Sequence, residues 1–241
     1  MNNNRDIQSK EEILKKYSKL VKGIDKKAVF RDTDSHRAYG GIIRSSKGTL
    51  VEDIAKDLIV IAWNNLEGDP NRLSLEKKSI RVPIKREYVD HIKNPEVKEY
   101  ILKNIDRYFY PFKTDVHVCI DGDLVLGVEC KAYTENAMLK RIMVDFTFLK
   151  QTYPKADAVL FQLESQLGGD YSEVDKDIKY GSHTTHTIMS YFDVNLVIIT
   201  LLEGERLVDK PIHKEGFYKE LKESSVDKAI STFEGLLRKR L

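Results

Sequence analysis

Alternating apolar and polar residues on both sides of a turn constrain this chain more than any other feature. Residues 114–133 read TDVHVCIDGDLVLGVECKAY. Val116, Val118 and Ile120 alternate with Asp115, His117 and Cys119; beyond the turn, Leu124, Leu126, Val128, Cys130 and Ala132 alternate with Val125, Gly127, Glu129, Lys131 and Tyr133. Period two on both arms predicts an antiparallel hairpin with one apolar face. A three-residue loop over 121–123 sets Ile120 opposite Leu124 and, counting outward, Asp115 opposite Glu129 with Lys131 on the same face. A two-residue loop would pair Asp115 with Val128 and drive half of the charges among the aliphatic side chains, because a slip of one residue exchanges the faces.

The rest of the composition sets bounds. With 241 residues, 41% of them hydrophobic, the chain can bury a sizeable core as a single domain over 1–241. No run is apolar enough to span a bilayer, and MNNNRDIQSKEE lacks the apolar centre of a secretory leader, so the expectation is a cytoplasmic protein without membrane contact. Cys119 and Cys130 fall on opposite hairpin faces, which argues against a disulfide. The 40 basic and 38 acidic residues neither demand nor forbid a polyanionic partner, so any nucleic-acid site must come from local clustering.

Helical spacing over 7–22 predicts a surface helix, after which a basic, glycine- and serine-containing stretch through Lys47 reads as a loop whose Arg44 and Lys47 suit phosphate contact. The stripe from Leu50 to Leu66 predicts a helix starting at Thr49, with Thr49 and Glu52 forming a capping box. A basic run (Lys77, Lys78, Arg81, Lys85, Arg86) precedes a helix expected over 95–109, and another is expected over 137–152. Short apolar runs at 158–163 and 196–202 read as buried strands, and helices are expected over 216–222 and 226–240. The order predicts an α/β fold, a central mixed sheet flanked by helices. Between the last two strands, 164–193 is rich in hydrogen-bonding residues. Ser182, His183, Thr184, Thr185 and His186 carry short donors and acceptors of the kind that read base edges, with Lys176 and Lys179 nearby for phosphates.

Two facing carboxylates with a lysine two residues beyond the second make a hard, oxygen-rich site for Mg²⁺ with a cation beside it. His117 and Cys119 are softer ligands and do not count toward it. The plainer reading of the same charges is cross-strand ion pairing.

The segment TD, thirteen residues, ECK resembles the PD-(D/E)xK motif of type II restriction endonucleases and related nucleases, with Thr114 where the motif usually has Pro. The order of helix, hairpin, helix and buried strand over about 48–163 is similar to that superfamily's core. The resemblance implies Asp115 and Glu129 as metal ligands, Lys131 as the catalytic lysine and Glu52 as a further acid. It also implies Mg²⁺-dependent hydrolysis of both strands of double-stranded DNA at a short specific sequence by a homodimer, leaving 5′-phosphate ends. The alternatives are a structure-selective or repair nuclease of the same superfamily, and an inactive DNA-binding module.

Overall fold

The longest strand is at the centre of the molecule. The computed structural model describes residues 9–31, 36–168, 181–214 and 216–241, with 24–31 and 36–44 described by backbone alone. Seven strands form among the described residues: β1 (Leu73–Glu76), β2 (Ile80–Pro83), β3 (Phe109–Phe112), β4 (Val116–Ile120), β5 (Asp123–Glu135), β6 (Asp157–Gln166) and β7 (Leu196–Thr200). Five of them make a sheet in the order β1-β4-β5-β6-β7, antiparallel from β1 to β5 and parallel from β5 to β7, while β2 and β3 pair separately. The sheet is therefore mixed and the fold α/β, as expected. The antiparallel half needs only turns, whereas the parallel half needs the crossover helix α5 (Asn136–Thr152) between β5 and β6.

Each face of the sheet has its own apolar cluster. Alternate residues Val116, Val118, Leu126, Val128, Cys130 and Phe161 pack beneath α1 (Lys10–Arg31), α2 (His36–Asn65) and α7 (Glu223–Leu237). The other face, through Leu160 and Ala158, packs against the Leu139, Ile142, Met143, Phe146 and Leu149 row of α5 and against α6 (His183–Ser190). Gly127 allows α5 this close to β5, since a Cβ there would fall 2.5 Å from Leu149 Cδ2.

The hairpin differs from expectation in its turn. Ile120 pairs with Asp123, so the loop has two residues, Asp121 and Gly122, both in the left-handed region at φ 54° and 84°. That is the turn geometry whose twist matches two antiparallel strands. Arg72 clamps it with a forked hydrogen bond to the Asp121 carboxylate. A bulge then restores the register: Cys119 pairs with Leu124 but Val118 pairs with Leu126, leaving Val125 as the extra residue. Val125 joins the cluster under α2 and α7, and Leu124 packs on the α5 side, the reverse of the simple alternation.

Helix boundaries also shift. The described residues of the stretch expected as a loop through Lys47 are helical, α1 running to Arg31 and α2 starting at His36. Gly and Ser weaken a helix by up to about 1 kcal/mol each without ending it when tertiary packing holds the rest. Thr49 and Glu52 accordingly lie inside α2, and the capping box expected there does not form. Residues 95–109 divide into α4 (Pro95–Lys103), a single 3-10 turn and β3, whose Phe-Tyr-Pro-Phe sequence favours an extended chain. β1 directly precedes the basic run, β2 lies within it and α3 (Arg86–Asp90) begins at its last residue, and 216–222 is not helical. Both cysteines are free and buried. No helix among the described residues is long and apolar enough to cross a membrane.

Candidate active site

The restored register brings the hairpin acids together. One step beyond the Val116–Val128 pair, Asp115 lies beside Glu129, and its Oδ2 accepts a hydrogen bond from Cys130 N at 2.8 Å, which seats the carboxylate against β5. Lys131 Nζ donates to Glu129 Oε1 and lies 3.7 Å from Asp115 Oδ2. All three sit on the α5 side, since the intervening Cys130 belongs to the opposite cluster. Thr114, which takes the place of the motif's Pro, donates its N–H to His117 Nε2 at 3.3 Å and its hydroxyl to Val116 O at 3.2 Å. A proline could not make the first bond. His117 is buried and burial pushes its pKa down, so it acts as a neutral acceptor within the strand entry.

The site is electrostatically tense. Burial raises the Glu129 carboxyl above its ordinary range; Lys131 opposes the rise without cancelling it, and Asp115 and Asp145 of α5 add to it. Burial also works against charge on Lys131, but Glu129 and Asp115 outweigh it and hold the ammonium above its usual pKa. Two carboxylates converging on one partly buried face, one of them raised by burial, suit a hard cation.

Glu52 reaches this cluster through a lysine. Its Oε1 takes Lys56 at 2.6 Å and its Oε2 takes Lys77 at 2.8 Å, while Lys77 Nζ also stands 3.5 Å from Asp115 Oδ1. Lys77 sits just past the end of β1 and bridges the two acids. Nothing in a basic run marks it off from its neighbours. Lys56 sits at i+4 from Glu52, a helical spacing that is readable once the helix is assumed. Burial alone would raise the Glu52 carboxyl, but the two lysines hold it below its ordinary value.

No group of three or more His, Cys, Asp or Glu side chains among the described residues stands close enough to hold a metal. Asp115 and Glu129 are two hard donors, which fits Mg²⁺: that ion keeps several waters and is held by one or two carboxylates together with substrate phosphate.

The residues expected to touch DNA separate by burial. Ser182 caps α6, accepting from Thr185 N at 3.1 Å. Thr185 is fully buried, its hydroxyl bonded to Leu167 O and Asn136 Oδ1. Both are committed to the local fold. His183 and Thr184 are exposed and His186 is half-buried. Lys47 is also buried, near Glu164 and Arg206; burial, offset in part by Glu164, pulls its ammonium down to about 8. It cannot meet a phosphate as the solvated loop residue that was expected. Arg44 lies in the part of α2 described by backbone alone, and Lys176 and Lys179 lie outside the described residues.

Comparison with known proteins follows the same direction as the geometry. The chain is 51% identical over 216 residues to the type II restriction enzyme DdeI of Desulfomicrobium norvegicum, covering 89% of this chain and 90% of that protein. No family model matches the chain. No solved structure matches it.

Proposed function

The chain belongs to the type II restriction enzymes, and from that premise we propose that Asp115, Glu129 and Lys131 form its active site for Mg²⁺-dependent hydrolysis of double-stranded DNA at a short specific sequence. The observation that carries the residue assignment is the meeting of Asp115 and Glu129 at Lys131 on one partly buried face. Asp115 and Glu129 would hold the ion, which when bound polarises a phosphodiester oxygen and lowers the pKa of a water. Asp115 is oriented for this by the Cys130 amide. Lys131 Nζ, now donating to Glu129, is placed to donate instead to a phosphate oxygen as negative charge gathers there, or to orient the attacking water. Lys77 balances Glu52 and Asp115 and keeps Glu52 within reach as a further acid.

Base reading falls to the α6 side through His183, Thr184 and His186, within the polar segment 164–193, with Arg44 as a phosphate contact. The whole of 1–241 acts as one nuclease domain, supported by two apolar clusters that share a single sheet. A homodimer supplies one such site per strand. A DNA substrate and two buried free thiols suit the cytoplasm.

Incubation with phage DNA and Mg²⁺ tests the reading. Discrete bands, lost on adding EDTA, are expected. A smear, or full cutting in EDTA, would overturn sequence-specific or metal-dependent cleavage respectively.

A further inference from the structure

The chain as a whole is nearly neutral, but its charge is not evenly spread. Residues 77–113 hold ten Lys and Arg against five Asp and Glu, a net of +5, while all other positions together hold 30 basic and 33 acidic residues, a net of −3. This segment, β2, α3, α4 and β3, is a lobe inserted between two strands of the main sheet.

Its inner side accounts for its attachment. Ile80, Val82 and Phe112 join the α5 cluster, and the Tyr110 ring lies 5.5 Å from Phe148. Outside that interface little is buried: α3 buries Val89 and α4 buries Ile101. Tyr88 and Tyr100 remain 62% exposed, so core packing does not explain them. Part of the basic charge is matched locally, as in Lys98 with Asp90 and Lys103 with Glu99. Lys85, Arg86, Lys93, Arg107 and Lys113 are all exposed and make none of the ion pairs among the described residues.

The position of the lobe ties this surface to the chemistry. Its two ends meet at the acidic cluster: Lys77 at the start stands 3.5 Å from Asp115, which follows the other end by two residues. The lobe is therefore rooted at the carboxylates. We propose that the 77–113 lobe is the arm by which this protein grips the sugar–phosphate backbone of duplex DNA, with Lys85, Arg86 and Lys113 contacting phosphates and the Tyr88 and Tyr100 rings lying against the backbone between them. The proposal rests on the nuclease reading above and adds the surface that delivers the substrate. Phosphate contacts carry affinity without sequence information, so the arm works on any duplex.

The test uses the full-length protein, Ca²⁺ in place of Mg²⁺, and a fluorescein-labelled duplex oligonucleotide of arbitrary sequence, with binding followed by anisotropy between about 50 and 200 mM KCl. Lys85→Ala/Arg86→Ala/Lys113→Ala is compared with Lys15→Ala/Lys19→Ala/Lys22→Ala on α1, which removes the same charge from the far side of the sheet. The lobe variant should bind about tenfold or more weakly at the lower salt, and its slope of log K against log[KCl] should fall by about 0.9 for each phosphate that the protein no longer neutralises. The α1 variant should stay near wild type. Circular dichroism and thermal melting establish that both variants are folded. Equal losses in the two variants, or a folded lobe variant with the wild-type slope, would overturn the proposal while leaving the nuclease reading intact. A wild-type protein that neither binds nor cuts DNA would overturn both.

Discussion

On the proposed assignment, a carboxylate raised by burial, a carboxylate seated on a backbone amide and an ammonium held between them work as one unit, so the effects of removing them should not add. Asp115→Asn, Glu129→Gln and Lys131→Met should each lower plasmid cleavage by at least about 10²–10³-fold, and any pair should lose little more than one alone. Melting temperatures near wild type, together with retained duplex binding, would place the loss in the chemistry. A single variant cutting at close to the wild-type rate would move the site elsewhere. Glu52 makes a different case. Its folded pKa lies below its ordinary value of 4.5 because Lys56 and Lys77 outweigh burial. A depressed carboxylate contributes stability above its unfolded pKa and loses it as pH falls through the lower folded value. Glu52→Gln should therefore be less stable than wild type at pH 7, by about 0.5–1 kcal/mol for partly exposed pairs, with the gap closing in acid. Urea melts at the two pH values measure it. Wild-type cleavage at every Mg²⁺ concentration would confine Glu52 to holding its lysines, whereas a higher Mg²⁺ requirement would make it a third acid of the site.

Among the elements, the hairpin depends on two local devices, and each can be broken separately. Gly122 at φ 84° occupies backbone space that a Cβ makes unfavourable by about 1–2 kcal/mol, so Gly122→Ala should lower the unfolding free energy by that amount while the bulge keeps Asp115 beside Glu129 and cleavage survives. Gly127→Ala should reverse the balance. Its Cβ would meet Leu149 at 2.5 Å in a fully buried layer, costing about 1–3 kcal/mol and pressing α5 away from the strand that carries Glu129. Cleavage should fall with stability there, and a Gly127→Ala protein that is wild type in both respects would contradict the close approach. These devices also explain what the sequence could and could not reveal. Alternation on both arms gave the pairing of Asp115 with Glu129 and the face of Lys131, because a buried face tolerates only one register. It did not give the route, since a two-residue turn plus a bulged Val125 and a three-residue turn without one place the acids identically. Long apolar stripes located α5, β6 and the body of α2. The start of α2 was hidden because Gly40, Gly41, Ser45 and Ser46 look like a loop until the packed part of the same helix is seen to carry them. β1 and β2, four residues each, were too short to show an alternation, and β2 was hidden further by the basic residues around it. Lys77 was illegible for a related reason: its role comes from a meeting of β1, α2 and β4 that no local pattern records.

At the scale of the molecule, the proposed assignment sets one active site against a substrate with two antiparallel strands. Each chain presents a single Asp115, Glu129 and Lys131 cluster. Cutting both strands at one place therefore needs either two chains related by a two-fold axis or two successive visits by one chain. The two routes give different products when active and inactive chains are mixed. Lys131→Met keeps the Asp115 seat on Cys130 N, so the variant chain should still fold and pair. In a symmetric dimer, a small amount of wild type mixed and equilibrated with a large excess of Lys131→Met places nearly every active site opposite a dead one. Supercoiled plasmid should then be converted to nicked circles that accumulate, with linear DNA forming far more slowly than for the same amount of wild type alone. A monomer acting twice would give the same ratio of linear to nicked product with or without the excess, apart from competition for sites, which slows both steps together. Gel electrophoresis of a plasmid time course reads the ratio directly. Sedimentation at the assay concentration provides the independent measure: a species of twice the 27.8 kDa chain mass is expected, and a monomer that still linearises plasmid without a nicked intermediate would end the dimer assignment.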